Sequence, residues 1–164
     1  MIIDDKAFQE IRTQLERYIH DKKLRNSEVR YLVLDAVRTF PKHFTVDDLQ
    51  EKLDKGKEKI SLSTLYNTLL VLLDAGILLR HSLGPKAEYE LRKKGETHLH
   101  LVCNRCGSVR EVRILPSVLR PLFDAAKTRL EPDYLTLYMY GLCSRCKREQ
   151  KKLERKQNTK SNES

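Results

Sequence analysis

Along the first half of the chain, apolar residues recur at the three- and four-residue spacing of helices. Phe8, Ile11, Leu15, Tyr18 and Ile19 alternate with charged residues and predict a first amphipathic helix. Ser27 stands where it can cap a second helix, whose stripe runs through Val29, Leu32, Val33, Ala36, Val37 and Phe40 and stops at Pro41. Thr45 with Asp48 three residues on has the form of a capping box, and with Leu49 and Leu53 behind it predicts a short third helix. The segment from Ser61 to Gly76 opens with a capping residue and closes on a glycine, so it predicts a fourth. At about 100° per residue, Leu62, Leu65, Leu69, Leu72 and Leu73 share one face of that helix. Ser63, Thr64, Asn67 and Thr68 lie opposite, with Tyr66 at the border.

Two short runs follow, Ile77 to His81 and Ala87 to Leu91, around a Gly84-Pro85-Lys86 turn, which suits a small β-hairpin. Helices followed by a hairpin make a winged helix-turn-helix, expected over residues 1–91. Residues 92–96, Arg-Lys-Lys-Gly-Glu, are charged and without period and are expected to form a hinge. From Thr97 the texture changes to short strands, Leu99 to Cys103 and Val109 to Val112. A helix opened by Pro116 and running to about Arg129, then a strand from Tyr134 to Leu142, complete a second, α+β domain over 97–146. The fold class is therefore mainly α with an α+β part. Residues 147–164 hold one leucine and no aromatic, too little apolar surface to order themselves, and are expected to be a basic disordered tail.

Length and composition refine this picture. A chain of 164 residues makes two small domains that would each be marginal without added stabilisation. No run approaches the roughly 18 apolar residues of a membrane span, and Met1 to His20 carries Asp4, Asp5, Lys6, Glu10 and Arg12, unlike a signal peptide. A soluble, cytoplasmic protein with no membrane partner is expected. The net charge of +9 is unevenly placed: +2 over residues 1–86, +3 over 87–146 and +4 over 147–164. Because nearly half the excess sits in the tail, where a solvated extension is favoured over a nucleic-acid arm, charge alone supports DNA binding only weakly.

The cysteines carry the sharpest signal. All four fall in two identical pairs, Cys103-x-x-Cys106 and Cys143-x-x-Cys146, separated by the 36 residues from 107 to 142. Each knuckle presents two sulfurs at one point, and two knuckles close a tetrahedral Zn²⁺ shell with no open position, so the expected role is structural. Disulfides, disfavoured in a cytoplasmic location, and a redox-active dithiol, which lacks a surrounding βαβ pattern, are the rival readings. No other catalytic grouping is visible, and the chain is not expected to be an enzyme.

His98 and His100 flank Leu99 just before the first knuckle, and a strand's period of two sends both imidazoles to one face. Alone they mean little. Glu90 on the hairpin, Glu111 eight residues after Cys103 and His43 before the third helix supply company. Should these meet, mixed nitrogen and oxygen ligation suits Fe²⁺, Mn²⁺, Zn²⁺ or Co²⁺. Such a site draws on both domains, so a cation would select one interdomain arrangement by its differential affinity for it.

These residues closely resemble the ferric uptake regulator family over roughly Leu24 to Lys147. The resemblance rests on Arg25-Asn-Ser-Glu-Val-Arg30, on Ile60-Ser-Leu-Ser-Thr-Leu-Tyr-Asn-Thr-Leu69 and Asp74-Ala-Gly76, on His98-Leu-His-Leu-Val-Cys-Asn-Arg-Cys-Gly107, and on Tyr138-Met-Tyr-Gly-Leu-Cys143. It implies a homodimeric, metal-dependent DNA-binding repressor controlling metal or iron homeostasis genes. It further implies Cys103, Cys106, Cys143 and Cys146 as structural zinc ligands, and His43, Glu90, His98, His100 and Glu111 as ligands of a regulatory cation, Fe²⁺ or another divalent ion. Three departures narrow the resemblance. Thr97, Leu99, Val118 and Leu135 stand where many members have a further metal site, so that site is not expected. Asn67 replaces a frequent arginine and resembles the peroxide-sensing branch. Glu90 and Glu111 stand where peroxide sensors have aspartates, which favours metal sensing. A zinc- or peroxide-responsive regulator, and a zinc-stabilised DNA-binding module that senses nothing, are the alternatives.

A winged helix of this kind sets its second helix-turn-helix element in the major groove. Ser63, Thr64, Tyr66 and Asn67 would then reach base edges. Asn67 pairs bidentately with adenine and the Tyr66 ring meets a thymine methyl, so an A·T-rich palindromic operator on double-stranded DNA is expected. That helix has no lysine or arginine, which leaves phosphate contacts to Arg30, Lys57, Lys59, Arg80 and Lys86.

Overall fold

The computed structural model describes residues 3–82, 86–92, 97–126 and 135–161. The chain divides into two compact units, Met1–Lys93 and Lys94–Ser164. The expected hinge at 92–96 falls at this division; all of it but Arg92 lies outside the described residues, as do Gly84 and Pro85 of the expected turn.

The first unit holds α1 (Asp5–Asp21), α2 (Glu28–Arg38), α3 (Val46–Lys55) and α4 (Leu62–Asp74), then β1 (Leu78–His81) and β2 (Glu88–Leu91). Local chemistry sets most of these limits. Asp4 caps α1 through Ala7 N–H at 2.8 Å. Thr45 and Asp48 form the expected capping box: Thr45 Oγ1 accepts from Asp48 N–H at 3.2 Å while Thr45 N–H donates to Asp48 Oδ2 at 2.8 Å. Ser61 Oγ accepts from Thr64 N–H at the start of α4. The other end of α4 is a Schellman turn in which Gly76, at φ 66°, donates to Leu73 O and Ile77 donates to Leu72 O. Ser27 is the N-cap of α2, but its hydroxyl makes no cap bond, so the helix starts there without the side-chain contact the sequence invited.

One apolar core joins these elements. Phe8, Leu15 and Ile19 of α1 pack with Val33, Leu34 and Val37 of α2, Leu49 and Leu53 of α3, Leu65, Leu69 and Leu72 of α4, and Leu78, Tyr89 and Leu91 of the hairpin. Two expected faces are rotated. Leu34 is fully buried while Leu32 is exposed, because α2 packs against both α3 and α4. On α4 the buried arc runs from Thr68 through Leu72 and Leu65 to Leu69, which leaves Leu62 exposed and Thr68 inside. Burial of Thr68 is tolerated because its hydroxyl donates to Thr64 O at 2.9 Å.

The second unit holds β3 (His98–Cys103), β4 (Val109–Arg113), α5 (Pro116–Ala126), β5 (Leu137–Gly141) and α6 (Ser144–Ser161). The sheet order is β4-β3-β5, with β4 antiparallel and β5 parallel to the central β3. Among the described residues, Val102, Cys103, Leu119 and Cys146 are its buried apolar residues, a thin core for an independent unit. Helix α6 differs from the disordered tail expected from composition. It grows out of the second cysteine knuckle: Lys147 N–H donates to Cys143 O in its first turn and Arg105 of the first knuckle donates to Cys146 O at 3.3 Å, so a tertiary anchor helps supply the costly first turn that the sequence alone lacks.

Candidate metal centres

The parallel pairing of β3 and β5 explains how the cysteines meet. Cys103 ends β3 opposite Gly141 of β5, so both knuckles leave the sheet at the same end of its parallel strands. Asn104 N–H donates to Gly141 O, and Gly107, at φ 69°, closes the first knuckle by donating to Cys103 O. The four sulfurs lie within 4.8 Å of one another, and Cys106 Sγ is 3.8 Å from Cys143 Sγ. A tetrahedron with Zn–S bonds of about 2.3 Å has sulfur–sulfur edges of about 3.8 Å. The spacing fits a zinc ion and is far from a disulfide bond of about 2.0 Å; all four cysteines are free thiols.

The surroundings prepare this group for a cation. Hydrogen bonds from the Ser108 hydroxyl and backbone N–H, with help from the neighbouring thiols, hold the Cys106 thiol down to about 5. Backbone N–H groups, led by that of Cys143, also lower Cys103. Burial and the other thiols push Cys146 up to about 12. Thiolates are thus preformed at the exposed side of the cluster, and the buried sulfur awaits a positive charge.

A second donor group lies in the first unit. The residue after His43 bridges to the hairpin: Phe44 N–H donates to Tyr89 O at 2.9 Å, and Tyr89 N–H donates to Phe44 O at 2.8 Å. This pins the loop before α3 along β2 and brings His43 over the hairpin's glutamates. His43 Nε2 is 3.4 Å from Glu90 Oε2, and His43 Nδ1 is 3.6 Å from Glu88 Oε2. His81 Nε2 approaches the same Glu90 oxygen at 3.0 Å, and the two imidazoles are 4.9 Å apart. One donor atom from each of His43, His81 and Glu90 lies within 4.8 Å of the others. His81 is 1% exposed and is the residue that sequence reasoning missed. Its signal was a histidine closing a strand whose hairpin partner carries Glu88 and Glu90 two residues apart.

The remaining expected ligands lie in the second unit. His100 pairs directly across the sheet with Glu111 on one side and Tyr138 on the other, where the rings stack at 5.2 Å. His98 lies along the same strand, its ring 4.6 Å from that of His100. The period of two holds for this pair, but His100 is buried rather than surface-exposed, as it occupies the middle strand of the sheet.

On α4, Ser63, Thr64, Tyr66 and Asn67 are exposed in the N-terminal half of the helix. Tyr66, at the border of the wheel, is 46% exposed and so is not part of the core edge. Among the expected phosphate contacts, Lys57, Lys59, Arg80 and Lys86 are exposed and Arg30 is half-buried. Arg30 donates to Arg25 O, and Lys86 pairs with Asp47, which raises the lysine above its usual range.

The sequence matches the ferric uptake regulator family over residues 21–129. It is 34% identical over 136 residues to the ferric uptake regulation protein of Neisseria meningitidis, covering 78% of this chain and 90% of that one. Among solved structures, the Vibrio cholerae ferric uptake regulator superposes with a TM-score of 0.57 at 32% identity, covering 77% of this chain and 98% of that one. The ferric uptake regulator from Francisella tularensis with iron gives a TM-score of 0.58 at 25% identity, over 76% and 95%. With its helical first unit, its small sheets and its four-cysteine cluster, the chain belongs to the ferric uptake regulator family of metal-responsive transcriptional regulators.

Proposed function

We propose that this protein is a homodimeric repressor of iron-homeostasis genes, switched by an exchangeable divalent cation. In this reading Cys103, Cys106, Cys143 and Cys146 hold a structural zinc. The switching ion takes His43, Glu90 and His81 from the first unit and His98, His100 and Glu111 from the second. The observation that carries it is the convergence of two imidazoles and one carboxylate at His43, His81 and Glu90, a nitrogen-and-oxygen donor set of the kind that Fe²⁺ and Mn²⁺ accept. A cation that draws ligands from both units favours the arrangement in which they meet, and shifts the population toward it.

DNA recognition falls to α4. Its exposed Ser63, Thr64, Tyr66 and Asn67 carry hydrogen-bonding groups and a ring suited to A·T pairs in the major groove, with Arg30, Lys57, Lys59, Arg80 and Lys86 as candidates for phosphates. Dimerisation is supported by the apolar side chains exposed in the second unit, Leu115, Val118 and Leu122 on and beside α5 and Met139 and Tyr140 on β5. A two-fold pair of heads reads a palindrome.

The test is DNA binding measured with and without added Fe²⁺ or Mn²⁺, on the wild type and on a variant with His98 and His100 replaced by alanine. The wild type should respond to metal, and the variant should lose the response while keeping its zinc. A wild type whose affinity ignores both ions would overturn the proposal.

A further inference from the structure

Helix α6 segregates its charge in a way that a merely solvated helix has no reason to do. At about 100° per residue, Lys147, Lys151, Arg155, Arg148 and Lys152 fall within an arc of about 140°. Glu149, Leu153, Gln150 and Glu154 occupy the other side. The helix is tied to the first knuckle through Arg105, which donates to Cys146 O at 3.3 Å and stands 3.8 Å from Glu149, and Arg105, Glu149 and Leu153 share one concavity with Lys152 and Arg155 of the arc. All five cations of the arc are exposed to solvent, as are the other residues of 147–155.

The arrangement costs the helix stability when nothing covers it. Neighbours four residues apart on the arc are Lys147 and Lys151, Arg148 and Lys152, and Lys151 and Arg155, all pairs of like charge, and such pairs destabilise an isolated helix. A helix selected for solubility alone interleaves signs at this spacing. An extended polyanion laid along the arc turns the repulsion into attraction by releasing its counterions. From Lys147 to Arg155 the arc spans about 12 Å at a rise of about 1.5 Å per residue. That is the axial length of three to four nucleotides of one duplex strand, at about 3.4 Å each.

We propose that α6 is a second DNA-contacting element that grips the phosphate backbone of double-stranded DNA without reading bases. The inference rests on the DNA-binding reading above and adds a surface to it. It changes the affinity of every sequence alike, because phosphate contacts carry no sequence information.

The test replaces Lys147, Arg148, Lys151 and Lys152 together by glutamine, a good helix former, in the full-length protein. Zinc content and helical circular dichroism are checked to remain as in the wild type. Binding to operator and to scrambled duplex is then followed between about 50 and 200 mM salt. The slope of log affinity against log salt should become shallower by up to about 3.6, at about 0.9 per lost phosphate contact, and affinity should fall by one factor for both duplexes. A second variant, Arg148→Lys, keeps the charge and should keep the slope. An unchanged slope in the quadruple variant overturns the role of α6 while leaving the regulator reading intact. No DNA binding by the wild type under any metal condition overturns both. Retained slope together with lost sedimentation on phosphatidylserine vesicles overturns it in favour of a membrane surface.

Discussion

His81 Nε2 lies 3.0 Å from Glu90 Oε2, the same carboxylate oxygen that His43 approaches at 3.4 Å. Glu90 is therefore oriented by two imidazoles from different elements, one on β1 and one in the loop that the Phe44–Tyr89 bridge fastens to β2. If Glu90 ligates the proposed cation, a carboxylate held this way is positioned before the ion arrives, which lowers the ordering cost of binding.

His81→Ala should weaken Mn²⁺ or Co²⁺ binding by about 10- to 100-fold, the range for loss of a ligand or of the group that orients one. Titration calorimetry on zinc-loaded protein checks this. An unchanged affinity, with His43→Ala and Glu90→Ala still defective, would make His81 a core histidine only.

Removal of the structural zinc should unfold the second unit and spare the first. Among the described residues the second unit buries few apolar side chains, whereas the first has its own continuous core. Strong chelation should therefore abolish the hydrogen-exchange protection of β3 and β5 and leave that of α1 to α4 in place.

The thiols should also differ in reactivity after brief chelation. With Cys106 held at about 5 and exposed, it is a thiolate throughout the neutral range and loses that character only as pH falls through about 5. Cys146, raised to about 12 and buried, stays protonated there. Alkylation at pH 6 to 7 followed by mass spectrometry should mark Cys106 first and Cys146 last; the reverse order would contradict the electrostatics described above.

Thr45→Ala should cost the first unit about 1 kcal/mol, the usual loss for an N-cap side chain. Hydrogen bonds from the Thr45 hydroxyl and backbone N–H hold Asp48 below the usual carboxylate range. Because the folded value is depressed, the contribution of Asp48 is full at neutral pH and disappears as pH falls through the folded value. The gap in urea midpoint between wild type and variant should narrow in acid.

Gly76→Ala should cost about 1 kcal/mol or slightly more. The site sits at φ 66°, where a Cβ is disfavoured. The added methyl also comes 3.3 Å from Arg92 Nη1, a flexible tip that can move aside. Thermal unfolding of the single variant measures it.

Features set by neighbours in the chain were legible from the sequence, and features set by neighbours in space were not. The Thr45–Asp48 box, the Ser61 cap and the Gly76 stop are local bargains among a few residues, and each stands where the pattern placed it. The cysteine spacing was equally plain, because a C-x-x-C knuckle is a local turn. Which of Leu32 and Leu34 enters the core depends on where α3 and α4 press on α2, and helical periodicity does not contain that. His81 needed the hairpin register before its proximity to Glu90 existed at all. Composition argued against order after Lys147, yet α6 forms there, started by the knuckle rather than by propensity.

The chain between β4 and β5 contains no cysteine and so supplies no sulfur to the cluster. What fixes the sulfurs is the alignment of two adjacent strands at Cys103 and Gly141. Insertions or deletions between Ile114 and Leu135 should consequently leave zinc affinity untouched, whereas shifting β5 by a single residue would turn its side chains to the opposite face and carry Cys143 away from its partners. The rivet tolerates changes in loop length and is vulnerable to slippage.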